Sequence, residues 1–149
     1  MTPRNAPFSQ AEYDRRIALT RAAMAKAGLD AIFVTDPSNQ AWLTGYDGWS
    51  FYVHQGVILT MDGEPRWWGR HMDSLGALRT CWIAPDSIHG YADSYVQSTV
   101  RHPMQDLART NRAAMLAREV GVEGRLGGQA RRRGPSTGLV AGTAPDGCL

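Results

Sequence analysis

The first 35 residues constrain the fold more than any other part of the sequence. Ser9 is followed three residues later by Glu12, which is the pattern of a capping box at the start of a helix. Apolar residues then recur up to Gly28, a residue type that commonly ends helices. Residues 30–35 form a short and mostly apolar run immediately afterwards, which predicts a buried strand. A helix, a tight glycine turn and a buried strand in this order indicate an α/β layer.

The middle of the chain predicts a β-hairpin. Residues 49–60 alternate between two faces, which is typical of a strand. One of these faces would carry Trp49, Phe51, Val53, Gln55, Val57 and Leu59. Asp62-Gly63 is a strong signal for a tight turn, and residues 65–69 supply the returning strand.

Shorter elements complete the predicted order. Helices are predicted over residues 39–44 and 73–79, and strands over residues 80–83 and 87–91. A last helix is predicted to begin at His102-Pro103, because proline favours the first helical position, and to end at Gly121.

Charge and hydropathy exclude several classes of function. Residues 1–126 hold thirteen basic and thirteen acidic residues, so the net charge of +2 comes from the remaining residues. A neutral body argues against nucleic acid as a partner. No apolar run approaches the roughly 18–20 residues that span a membrane, and residues 1–16 lack the apolar core of a secretory signal. We therefore expect a cytoplasmic protein that binds neither nucleic acid nor membrane.

The residues that usually carry catalysis are too scattered to predict a catalytic centre or a metal site. The four histidines lie too far apart in sequence for a local pair such as His-x-x-x-His. Cys81 lies in an apolar run, where a thiol is usually inert, and Cys148 is too distant to imply a disulfide framework. We expect no catalytic residue, no metal ligand and no cofactor in this chain.

Aromatic residues are concentrated in one short stretch. Five of the thirteen aromatic residues fall between Trp42 and Tyr52, beside polar residues such as His54. Such a stretch is compatible with a substrate pocket and equally with packing of an ordinary hairpin. The residues alone leave both interpretations open.

The same stretch resembles a known family. Asn39 and the run Trp42-Leu43-Thr44-Gly45-Tyr46 are similar to the Asn-x-x-Tyr-Leu-Thr-Gly-Phe-like segment of creatinase/prolidase N-terminal domains, which belong to the M24 metallopeptidase superfamily. The longer runs at residues 34–55 and 95–104 resemble the ectoine hydrolase branch of that superfamily. The resemblance covers residues 8–126.

The resemblance implies both a fold and the assignment of catalysis to a separate domain. It implies a three-layer α/β domain of ribonuclease-H-like type, with a mixed sheet and flanking helices. It also implies that catalysis belongs to a separate C-terminal domain, which often binds two divalent metals and which nothing in this sequence matches. The chain would then be the non-catalytic N-terminal domain of a hydrolase and is not expected to be active alone.

The last 23 residues differ in character from the rest. Residues 127–149 contain six glycines and two prolines without a periodic apolar pattern, which predicts a disordered tail. The arginine bias of the sequence and the abrupt loss of pattern suggest an out-of-frame end, so that the protein would be a truncated remnant. The alternative is a standalone binding or dimerisation module with a flexible basic tail.

The resemblance also implies a set of candidate site residues. In such hydrolases this domain shapes the mouth of an active site, commonly that of the partner in a homodimer. Trp49, Tyr52 and His54 are candidates for an aromatic wall over a delocalised cation. Arg70 and Arg101 are candidates for contact with a substrate carboxylate. Packing within a strand remains the alternative for the first three, and simple surface charge for the two arginines.

Overall fold

The computed structural model describes residues 6–50 and 52–112. Its helices are α1 (Gln10–Ala27), α2 (Pro37–Thr44) and α3 (His71–Thr80), followed by α4, whose described part covers residues 103–112. Its strands are β1 (Ala31–Val34), β2 (Gly56–Thr60), β3 (Arg66–Arg70) and β4 (Ile88–Tyr91). None of the helices in the described ranges is long and apolar enough to cross a membrane.

The first helix is held at both ends by the residues that predicted it. The Ser9 hydroxyl accepts the backbone N–H of Glu12 at 3.3 Å, as expected for an N-cap. Gly28 follows the helix with a φ of 69°, a left-handed conformation that glycine adopts without steric cost. The predicted N-cap at Ser9 and the glycine stop are therefore confirmed, whereas the Glu12 carboxylate accepts from Arg15 and Arg16.

The four strands form one mixed sheet in the order β1-β2-β3-β4. Strand β2 is antiparallel to both β1 and β3, whereas β4 is parallel to β3. Val34 at the end of β1 pairs with Val57, and Gly56 at the start of β2 pairs with Trp68. The carboxyl ends of β1, β3 and β4 and the beginning of β2 consequently lie at the same end of the sheet, here called the cleft end.

Helices cover both faces of this sheet. On one face, Val57, Leu59 and Trp67 pack with α1, α2 and α3 through Ile17, Leu43 and Ala77. On the opposite face, Phe33, Ile58 and Trp68 pack with Tyr91 of β4 and Leu107 of α4. Trp67 and Trp68 are both fully buried because successive strand residues point to opposite faces. The predicted three-layer α/β architecture with a mixed sheet is confirmed.

The strand predicted from residue 49 is wrong over its first half, because β2 begins only at Gly56. The buried hydroxyl groups of Tyr46 and Ser50 both donate to Gln55 Oε1, each at 3.1 Å. The N–H of Val53 donates to the carbonyl of Ser50 at 3.0 Å and closes a turn. The alternation of residue types therefore came from a folded loop, and Phe51 lies outside the described residues.

The strand predicted over residues 80–83 is also wrong. Thr80 is the last residue of α3, and the N–H of Cys81 still donates to the carbonyl of Ala77 at 2.9 Å. Trp82 then donates its N–H to the carbonyl of Thr44 and joins the end of α2 rather than a strand. The predicted end of the last helix and the predicted tail at residues 127–149 lie outside the described residues.

Candidate functional site

A buried hydrogen-bond network supports the loop at the cleft end. Gln55 is 4 % exposed, and its side-chain oxygen is the shared acceptor for Tyr46 and Ser50. Burial raises the pKa of Tyr46, so its hydroxyl stays protonated and able to donate. The network fixes both ends of the loop while Trp49 and Tyr52 remain 83 % and 68 % exposed.

Tyr52 and Arg70 come together at this end of the sheet. The Arg70 guanidinium lies 5.9 Å from the centre of the Tyr52 ring, within the range of a cation–π contact. Arg70 also donates from Nε and Nη2 to the two carboxylate oxygens of Asp73, at 2.8 and 3.1 Å. These hydrogen bonds raise the pKa of Arg70. Two of its donors are therefore already engaged within the protein.

His54 and His102 form a pair that sequence spacing did not reveal. Their ring centres lie 4.7 Å apart, and the ring planes are inclined by 73°. Burial, and after it the proximity of His102, lowers the pKa of His54. The prediction that the histidines are scattered is correct along the chain but wrong in space for these two, because α4 packs across the sheet.

The 52–55 segment and α4 form the two walls of a cleft of about 460 Å³. The lining residues are Phe33, Thr35, Tyr52, Val53, His54, Gln55 and Met104. Two of the predicted site residues, Tyr52 and His54, therefore line one cavity. The sequence analysis did not identify Met104 or Gln55 as site residues. For Gln55, the available signal was a polar residue placed just before an apolar strand.

The other predicted site residues are placed outside this lining. Trp49 projects from the loop, and Arg70 is held against Asp73. Arg101 is exposed, with its guanidinium 5.9 Å from the Tyr95 ring and Nη1 3.5 Å from the Ser94 hydroxyl. Neither contact satisfies a guanidinium as fully as a carboxylate does. Arg101 is consequently more available to an anion than Arg70.

The family model for the creatinase/prolidase N-terminal domain matches residues 16–131. The chain belongs to this family.

Relatives of this creatinase/prolidase N-terminal domain carry hydrolase and peptidase names. It is 58 % identical over 104 residues to the ectoine hydrolase of Halomonas elongata, covering 70 % of this chain and 26 % of that protein. It is 40 % identical over 118 residues to y4tM of Sinorhizobium fredii, described as an uncharacterised hydrolase/peptidase, covering 78 % of this chain and 30 % of that protein. The domain thus spans between a quarter and a third of the length of these relatives.

Solved structures share the fold of this creatinase/prolidase N-terminal domain. The N-terminal domain of an Xaa-Pro dipeptidase from Lactobacillus brevis superposes with a TM-score of 0.54 at 15 % identity. That match covers 67 % of this chain and 69 % of the other. At this identity the likeness concerns the fold.

Potential metal-ligating side chains do not cluster in the part of this creatinase/prolidase N-terminal domain that the structure describes. Within the described ranges, no three histidine, cysteine, aspartate or glutamate side chains lie close enough together to hold a metal ion. Cys81 is buried, and its thiol lies 3.7 Å from the Thr44 hydroxyl, an environment that favours an inert thiol.

Proposed function

We propose that this chain is the substrate-facing, non-catalytic domain of a hydrolase related to ectoine hydrolase. The single observation that carries the proposal is the cleft at the end of the sheet, where Tyr52 and His54 form one wall. The sequence likeness to ectoine hydrolase, at 58 % identity over 104 residues, supports a substrate of the same chemical class.

The chemistry of the cleft suits a small ring that carries delocalised positive charge. Ectoine is a cyclic amidine with a carboxylate, and an aromatic face attracts a cation that lies over it. Tyr52 presents such a face and is 68 % exposed. Phe33 and Met104 add apolar surface against which the carbon atoms of a ring would pack. Arg101 would contact the carboxylate, whereas Arg70 would hold the Tyr52 ring in place.

A binding experiment with the full chain and ectoine tests this proposal. We expect ectoine to shift the NMR signals of Tyr52, His54 and Met104, while its concentration stays constant over hours. Tyr52→Ala should weaken binding. Leu19→Ala is the matched control, because Leu19 on α1 is 53 % exposed and does not line the cleft. Hydrolysis of ectoine by the chain alone, absence of shifts in the cleft, or equal weakening by both variants would contradict the proposal.

We also propose that the domain associates with a second copy of itself through α3. Met72 and Leu75 are 61 % and 67 % exposed, and their spacing of three residues places them on the same side of the helix. Two large apolar side chains side by side on an exposed helix favour an association surface. Sedimentation velocity over a range of concentrations should show a dimer that Leu75→Glu dissociates, with Leu19→Glu on α1 as the control. A monomer at every concentration would contradict this second proposal.

A further inference from the structure

The two walls of the cleft are joined by the imidazole rings of His54 and His102. His54 lies on the 52–55 segment, and His102 directly precedes α4, which carries Met104 of the opposite wall. The centre-to-centre distance of 4.7 Å and the steep inclination place the edge of one ring against the face of the other. A charge on either ring would therefore lie at the contact between the two walls.

His102 has a second role, which fixes the tautomer of its neutral ring. The ring Nδ1 of His102 accepts the backbone N–H of Met104 at 3.2 Å. The backbone N–H of His102 donates to Gln105 Oε1 at 3.1 Å. This reciprocal pattern is a capping box in which an imidazole replaces the usual hydroxyl. Because Nδ1 must offer a lone pair to Met104, the neutral ring carries its proton on Nε2. Protonation of Nδ1 would remove the cap.

The surroundings of the pair contribute further positive charge. The beginning of α4 carries the positive end of the helix dipole, and Arg101 adds a charge next to His102. The nearby acid on α4, Asp106, is already engaged by Trp68 and His89 through one oxygen, and by Arg109 through the other. The other titratable group on the 52–55 segment, Tyr52, faces Arg70. Burial, followed by the proximity of His102, lowers the pKa of His54.

We infer that His54 and His102 form a pH-sensitive latch that holds the cleft closed while both rings are neutral and releases it when they are protonated. Acidification would place two positive charges on rings whose centres lie 4.7 Å apart. The same protonation would remove the cap of α4. The 52–55 segment would then separate from Met104 and widen the cleft. This inference rests on the contacts between the two walls and is independent of which ligand the cleft takes.

The direction of the pH effect follows from the protonation states. In the closed form the pKa of His54 lies below its ordinary value of 6.5, whereas the open form returns towards that value. The open form therefore binds more protons, so the closed form loses stability as the pH falls below about 6.5. At neutral and alkaline pH the His54 ring is uncharged and the latch is closed.

Backbone amide exchange of Met104 tests the latch in the full chain. After correction for the intrinsic exchange rate, we expect protection of this amide to be lost progressively as the pH is lowered from 7.5 to 5, because the open form binds more protons. Ring nitrogen shifts should show His102 with its proton on Nε2 at the higher pH. Protection that does not change with pH, or a proton on Nδ1, would overturn the inference.

Three variants separate the latch from general unfolding. Asparagine also caps helices but does not titrate in this range, so His102→Asn should keep Met104 protected at both pH values. His54→Gln should likewise remove the pH dependence. His71→Gln, which changes an exposed histidine outside the pair, should retain it in full. Persistence of the pH dependence in His102→Asn, or its loss in His71→Gln, would overturn the inference.

Discussion

The guanidinium of Arg70 and the carboxylate of Asp73 form a two-pronged ion pair at the start of α3, and each side chain is only 15 % exposed. The fixed fork of arginine matches the two carboxylate oxygens, so the pair has one preferred orientation. In this orientation the guanidinium lies 5.9 Å from the Tyr52 ring. Asp73 therefore positions Tyr52 at the cleft through Arg70.

Removing the charge of Asp73 should loosen both α3 and Tyr52. We expect Asp73→Asn to lower the free energy of unfolding by about 1–3 kcal/mol, because a charged hydrogen-bonded pair loses one partner. Urea denaturation at neutral pH measures this change. Asp86→Asn, at an exposed aspartate, is the control and should stay within about 0.5 kcal/mol. Equal effects of the two substitutions would contradict the role given to Asp73.

Asp106 should make stability depend on pH in the acidic range. Burial alone would raise its pKa, but hydrogen bonds from Trp68 and His89 hold the pKa below its ordinary value of 3.8. The folded state thus favours the carboxylate, and this stabilisation is complete above the unfolded pKa and is lost as the pH falls through the folded one. Asp106→Asn should be less stable than the parent by about 1–3 kcal/mol at pH 7. The difference should shrink below pH 3.8, and urea denaturation at several pH values measures it. A difference that stays constant with pH would contradict this assignment.

Replacing Gly45 by alanine should destabilise the domain much more than replacing Gly28 by alanine. Both have a positive φ, of 76° and 69°, so a side chain is strained at either position. A Cβ on Gly45 would lie 2.6 Å from the Tyr13 hydroxyl and 3.2 Å from the Thr80 carbonyl, whereas a Cβ on Gly28 would meet nothing within 4 Å. We expect Gly28→Ala to cost about 1 kcal/mol. Gly45→Ala should cost more by about 1–3 kcal/mol, as overpacking does. Thermal unfolding compares the two, and equal costs would show that backbone strain alone decides.

Sequence signals predicted correctly those elements whose ends are stabilised by residues nearby in the sequence. Ser9 and Gly28 bound α1 as expected, because a cap and a left-handed turn depend on a few neighbouring residues. The loop before β2 was mistaken for strand because Gln55 is buried by contacts with Tyr46 and Ser50 rather than by sheet pairing. Alternation of residue types cannot distinguish these two ways of burying a side chain.

Only part of the candidate site could be predicted from the sequence, for a related reason. Tyr52 and His54 lie on one short segment, so their shared location was visible from spacing alone. Met104 reaches the cleft, and His102 reaches His54, only because α4 packs on the far face of the sheet through Leu107. Contacts between segments about fifty residues apart depend on the topology of the fold, and the pattern of a single sequence does not predict this topology.

Trp49 should be almost dispensable for folding, in contrast to Trp68. Trp49 is 83 % exposed, whereas Trp68 is fully buried and donates its indole N–H to Asp106 at 3.0 Å. We expect Trp49→Ala to change the free energy of unfolding by no more than about 0.5 kcal/mol. Trp68→Ala should cost about 3–5 kcal/mol, because it leaves a large cavity and removes a donor from a half-buried carboxylate. Acrylamide quenching provides a second measurement, since Trp49→Phe should remove much of the accessible tryptophan fluorescence. Comparable stability losses for the two alanine variants would place Trp49 in the packing of the domain and remove it from the candidates for ligand contact.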